Sequence, residues 1–274
     1  MKRNELLLVA VLAAVVIGAT AVLPPGVGAQ SERGIPVEYT ATADDLDSVT
    51  GNGWEEVQSV TVPLSSAGAD VPSADDVTIE QMRAQAVRTD SRLYLRISWA
   101  DPTRDTSEAS VREFADGAAV QLPTDGDQQP PIAMGSRESP VNVWYWSGSG
   151  ETEELFAGGP GTTTQFQQTT VATEHTYADG RWQVLFTRQL APDEPNRTTV
   201  PSAADEETSV AFAVWNGSNM EVAGQKSASQ WHRVAIGPAP PAYERVLWAV
   251  AGVAIVITTL VTIQGIRHTG GDGS

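Results

Sequence analysis

The segment GQKSASQWH, Gly224 to His232, holds the only lysine after Lys2, in a chain whose other cations are arginines. Arginine replaces lysine wherever a plain surface cation is enough. It cannot replace a lysine that must lose its proton, because guanidinium stays charged while an amine can be driven neutral by burial or by a metal. Two kinds of chemistry need a neutral lysine: a Schiff base, and coordination of a metal through nitrogen. The plain alternative for Lys226 is an exposed cation with no further role. A second residue of interest is Met134, in PPIAMGSRESPVNVWYW (Pro130 to Trp146). It stands before Gly135 in a proline-rich loop, ahead of an aromatic strand. Met82 lies in an alternating strand and reads as core, and Met220 sits in a polar turn. A loop methionine is usually packing filler, but its thioether is also an uncharged ligand.

A thioether and a neutral amine together would suit the two axial positions of a haem iron. Such a six-coordinate iron has no vacancy for substrate, so the pair points to electron transfer. Other chemistries have no anchor. The chain has no cysteine, which excludes disulfides, thiolate-held iron–sulfur clusters, covalently attached c-type haem and cysteine zinc sites. It contains no G-x-S-x-G elbow, no H-E-x-x-H and no P-loop. Of the three histidines, His268 is in the tail, His175 reads as solvent-facing on a strand, and His232 alternates with Trp231 near the lysine.

The net charge is -17, with 34 acidic residues against 17 basic ones. That balance repels nucleic acid, so no nucleic-acid partner is expected. An acidic, lysine-poor surface resembles the proteins of extreme halophiles, where salt screens the self-repulsion.

The succession LYLRISWADPT, FADGAAVQLP, MGSRESPVNVWYW and GQKSASQWHRVAI, in that order, resembles the haem b (gamma) subunit of the type II dimethyl sulfoxide reductase family of molybdenum enzymes. The likeness runs from Trp54 to Ile236. It implies a β-sandwich holding one haem b between a methionine and a lysine, which fall on Met134 and Lys226. It also implies partners: a molybdopterin catalytic subunit with an iron–sulfur subunit, or a membrane quinol-linked cytochrome. Trp144 and Trp146 could flank the porphyrin, but a strand tryptophan is more often core, and they are not counted as site residues. Arg137 is a candidate to meet a propionate.

These residues can meet only if the chain between them forms a sheet. Two alternating runs, Met82 to Arg88 and Leu93 to Trp99, flank Thr-Asp-Ser and predict a hairpin with Leu93, Leu95 and Ile97 on one face. GAAVQLP and VNVWYWSG predict further strands, and TTVATEHTYADGRWQVLFTRQL a second hairpin turning at Asp179-Gly180. TSVAFAVWNGSN and SQWHRVAIG predict the last two. The expected fold is all-β, an antiparallel sandwich over 51–236, with ligand-binding loops at Pro102 to Glu113, Thr124 to Arg137 and Gly148 to Thr164. A loose linker is expected over 30–50 and a stiff Pro-rich spacer over 237–245.

Both ends read as membrane-directed. Lys2 and Arg3 precede an apolar run from Leu6 to Leu23, giving a signal peptide or N-terminal anchor over 1–29. The uncharged run from Val246 to Ile263 predicts a transmembrane helix over 246–266, followed by a cytoplasmic tail over 267–274. The flanking cations keep both termini on the cytoplasmic side, so the sandwich is expected outside the cell membrane on one C-terminal anchor. Such an anchor departs from the family pattern, whose members are generally soluble periplasmic proteins. The alternative function is an exported sandwich that binds carbohydrate or another ligand without haem, using Trp99, Trp144 and Trp146 as stacking platforms.

Overall fold

The computed structural model describes residues 34–125, 129–201, 207–236 and Ile255. The expected signal peptide or anchor, spacer, membrane helix and tail lie outside the described residues. Among those residues no helix is long and apolar enough to cross a membrane.

The described residues form fourteen strands in chain order: β1 (Gly34–Tyr39), β2 (Val60–Pro63), β3 (Ser65–Ser66), β4 (Gln81–Arg88), β5 (Arg92–Ala100), β6 (Gly117–Pro123) and β7 (Val141–Ser147), then β8 (Thr152–Ala157), β9 (Thr164–Gln165), β10 (Ala172–Ala178), β11 (Arg181–Gln189), β12 (Glu207–Trp215), β13 (Ser227–Ala228) and β14 (His232–Ile236). The main path runs β10-β11-β5-β4-β1-β14-β12-β6-β7-β8-β9, with β2 beside β4 and β13 bridging β12 and β3. Both predicted hairpins form. Arg88 pairs Leu93 across the first, and Ala178 pairs Arg181 across the second. Asp179 and Gly180 both have positive φ, 51° and 67°, as a two-residue turn of primed type requires.

The antiparallel sandwich needs a correction: the sheet is mixed and curled. β1 runs parallel to both its neighbours, β14 and β4, while the other pairings of described strands are antiparallel. This also corrects the described part, 34–50, of the loose linker expected over 30–50. Ile35 and Val37 are each 1% exposed and bury one face of β1 in the core. Pro36 disguised the strand, since proline cannot donate to a ladder and is rare between two neighbours. The residues after β1 cover the outer face of β4, β5 and β11. Leu46, Val49, Trp54 and Val57 pack there on Val87, Tyr94 and Leu185. Gln85 donates to the carbonyls of Trp54 and Val57, both at 2.8 Å, and the Arg96 guanidinium lies 4.9 Å from the Trp54 ring centroid.

The two arms of the curl share one core. Leu93, Leu95, Ile97 and Trp99 from β5 meet Val120 and Leu122 from β6, Trp144 and Trp146 from β7 and Phe212 from β12. A second correction concerns Gly148 to Thr164, read as a loop. It contains β8, which extends the sheet beyond β7. Its Glu154 is buried against Arg197 at 2.9 Å and Arg188 at 3.6 Å. Such a buried trio fixes geometry more than it adds stability.

Candidate functional site

The strands β6, β7 and β12 alternate, so each gives one set of side chains to the core and the other to the outer face. The outer set is small and apolar: Ala119, Val141, Val143, Ala157 and Ala213 form a separate cluster. Around it Met134, Tyr145, Leu155, Trp215, Ala228 and Trp231 are only partly buried. Together they make a half-covered apolar surface, a candidate binding face on so acidic a chain. Gly117 opposes Trp215 in the register, and a Cβ there would lie 3.1 Å from the Tyr145 hydroxyl and 3.4 Å from the Trp215 ring. Its absence lets Tyr145 and Trp215 meet edge to face across β6, with centroids 5.5 Å apart. Burial pushes the Tyr145 phenol up to about 12.

Met134 enters this face from the loop before β7. Its φ is 66° and that of Gly135 is 71°. The pair turns the chain sharply, with Gly135 N–H bonded to Pro131 O and Met134 O accepting from Gly159 N–H at 2.9 Å. A Cβ on Gly135 would stand 2.7 Å from the Ser139 carbonyl oxygen, so only glycine fits. The Trp231 indole N–H donates to Pro130 O at 2.8 Å, which ties this loop to the chain just after the lysine.

Lys226 reaches the same face from the other end. Its Nζ lies 5.2 Å from the centroid of the Trp215 ring and donates to Ala223 O at 3.2 Å. The Trp215 indole N–H donates to the same carbonyl at 3.2 Å. Among the described residues Lys226 forms no ion pair. Burial without a compensating anion lowers its pKa, favouring the neutral amine. Met134 and Trp215 thus pack on one cluster, and the Lys226 amine sits over Trp215.

The other sequence candidates fall elsewhere. Trp144 and Trp146 are fully buried on the inner face and cannot flank a ligand on the outer one. Trp99 is fully buried too, which removes all three expected sugar platforms. Arg137 is exposed. His175 is a correction: it is half-buried, its Nδ1 accepts from the Trp146 indole at 3.1 Å, and burial lowers its pKa. His232 is buried in β14. Sequence reading missed Glu221 and Asn216, which organise the lysine loop, because nothing local separates them from ordinary polar turn residues. Trp231 was visible only as the neighbour of His232.

The family model described as ethylbenzene dehydrogenase matches residues 51–176 and 159–227, most of the described body. The chain belongs to the ethylbenzene dehydrogenase family. Both Met134 and Lys226 lie inside the matched region. Within reach of this ethylbenzene dehydrogenase family member are three similar proteins. One from Haloferax mediterranei, provisionally named as a respiratory nitrate reductase heme subunit, is 49% identical over 96% of this chain and 95% of its own length. The dimethylsulfide dehydrogenase subunit gamma of Rhodovulum sulfidophilum is 34% identical over 70% of this chain and 74% of its own. The chlorate reductase subunit gamma of Ideonella dechloratans is 30% identical over 84% of this chain and 95% of its own. Among solved structures, a family 9 carbohydrate binding module from Caldicellulosiruptor kristjanssonii with cellotriose aligns at TM-score 0.49 and 12% identity, over 76% of this chain and 95% of that one. So slight a likeness has no bearing on the ligand.

Proposed function

We propose that this chain is a haem b-bearing electron-transfer subunit of a molybdopterin oxidoreductase, in which Met134 and Lys226 would hold the haem iron. The observation that carries the reading is that Met134 packs on the small-residue outer face and the Lys226 amine lies over Trp215, which packs on the same face, in a member of a family whose relatives are named heme or gamma subunits. The donor set fits the group: an uncharged thioether, and an amine that burial has biased towards neutrality, with no ion pair among the described residues to hold its proton. Haem held there would supply a one-electron iron couple, and methionine ligation would raise its reduction potential. The chain's own residues set the conditions. The small side chains of Gly117, Ala119 and Ala213 keep the face low, and Tyr145, Trp215 and Trp231 wall it. The Ala223 carbonyl orients the Lys226 amine through one N–H, leaving its lone pair for the metal.

Electron transfer rather than catalysis is the role, with a molybdopterin subunit and an iron–sulfur subunit as partners, or a membrane quinol-linked cytochrome. The apolar run from Val246 to Ile263 supports attachment to the cell membrane by one C-terminal helix, with the sheet on the extracytoplasmic side. The purified full chain is expected to show a Soret band and a pyridine haemochrome of b type. Lys226→Ala and Met134→Ala should each convert the low-spin spectrum towards a high-spin form. A colourless protein after haem reconstitution, or variants with the parent spectrum, would overturn the reading.

A further inference from the structure

Glu221 is a carboxylate with 1% exposure and no cation beside it among the described residues. Both its oxygens accept only from neutral groups. Oε2 takes the backbone N–H of Asn216 at 3.0 Å. Oε1 takes the backbone N–H of Thr78 at 3.1 Å, the Thr78 hydroxyl at 3.3 Å and the Asn219 amide at 3.2 Å. The donors come from two segments far apart in sequence, so this side chain staples the turn after β12 to the stretch before β4. Other bonds reinforce it: the Asn216 amide to Thr78 Oγ1, and the Asn219 and Gln225 amides to Asp76 O. The stapled turn is tight, with left-handed Met220 and Ala223 on either side of Glu221 and Val222. It ends on Ala223, whose carbonyl receives both the Trp215 indole and the Lys226 amine.

We infer that Glu221 is the positioning residue for Lys226, holding the turn so that the Ala223 carbonyl fixes the amine over Trp215. The inference rests on the reading of Lys226 as a ligand. Two acceptor oxygens are needed because the Asn216, Thr78 and Asn219 groups facing the side chain are donors. A glutamine there would turn an NH2 towards donors at one oxygen position and break the staple. Glu221 does not touch the iron site. It acts by keeping the lysine from having to search for its geometry each time it binds.

Lysine occurs only at positions 2 and 226, so nitrogen-labelled lysine reports on this loop almost alone. The full chain, labelled in this way, is compared as parent, Glu221→Gln, Asn219→Ala and Lys226→Ala. Without haem, the Lys226 amide should be rigid in the parent and lose order in Glu221→Gln. With ferrous haem, the porphyrin ring current should shift the lysine side-chain signal, and added imidazole should return it to its free position. Half-return should need about tenfold less imidazole in Glu221→Gln, the low end for losing an outer-sphere partner. Asn219→Ala, which keeps the carboxylate, should shift in the same direction by less and serves if Glu221→Gln does not fold. A shifted signal with parent-like displacement in the folded variants overturns the positioning role and leaves the ligand reading intact. An unshifted lysine signal in the haem-loaded parent, with Lys226→Ala spectrally silent, overturns the ligand reading itself.

Discussion

Along β7, Trp144 and Trp146 point into the core and are fully buried, while Tyr145 between them points outward and stays half-covered. The same division runs through β6, where Val120 is inner and Ala119 outer, and through β12, where Phe212 is inner and Ala213 outer. The inner face is filled with large rings: Trp146 meets Trp182 at 4.9 Å and Trp99 at 6.2 Å. The outer face is floored with small residues and rimmed with rings. Burial on the inner face accounts for the fold. The outer face carries apolar area that the fold does not need, which is why it reads as a place for a ligand. The opposite arm makes the contrast plain, since its outer face is closed over by Leu46, Val49, Trp54 and Val57.

The comparison can be broken most strongly from the inside. Trp146→Ala removes a wholly buried ring and should lower stability by about 3–5 kcal/mol in urea unfolding. The haem spectrum of the fraction that still folds should be unchanged. If ligation changes first, the two faces are not separate.

Asp116 joins the faces, and pH tests that joint. Its Oδ2 accepts from the Trp182 indole at 2.8 Å, while Oδ1 accepts from Gly217 N–H at 2.9 Å, at the start of the lysine loop. Burial raises its pKa from 3.8 to about 6. Between those values the folded state holds a proton that the unfolded state has released. Its contribution is therefore complete below the unfolded value and is lost as pH rises through the folded one. The stability difference between parent and Asp116→Asn should change by up to about 3 kcal/mol from pH 4 to pH 7, and level off beyond it. A flat difference would mean that the carboxylate is ionised throughout.

On the outer side, Gly135→Ala puts a Cβ against the Ser139 carbonyl at positive φ. It should cost about 1–3 kcal/mol and, unlike Trp146→Ala, should alter the low-spin spectrum by displacing Met134. The smallest effect belongs to Trp231→Phe, which keeps a ring but removes the bond to Pro130 O. A stability loss of about 1 kcal/mol is expected, with a fall in reduction potential if the methionine loop loosens. An unchanged potential would show that the Met134 turn holds its shape without the strut.

Much of the sheet was legible because alternation is a local signal. Leu93, Leu95 and Ile97 announce β5, and Asp179-Gly180 announces the turn between β10 and β11, since both follow from side-chain direction and left-handed backbone within a few residues. β1 was not legible. A six-residue strand interrupted by Pro36 in a polar stretch gains its place only by pairing with β14 and β4, from the far end and the middle of the chain. The proposed ligand pair stands out by rarity of type, as the last lysine and a loop methionine. The partners that hold them were not. Glu221 and Asn219 look like any polar turn until Thr78 and Asp76 arrive beside them. Trp144 and Trp146 were ambiguous because period two says that neighbours face opposite ways without saying which way is in.

The order of residues by itself determined the all-β character, the strand limits near the site and the two uncharged donors proposed as metal ligands. Each depends on neighbours a few positions apart or on residue chemistry. The curl of the sheet, the parallel seam at β1, the choice of inner face and the staple on the lysine loop were decided only in three dimensions. They arise from pairings between distant segments, and no local preference encodes which distant segment will be there.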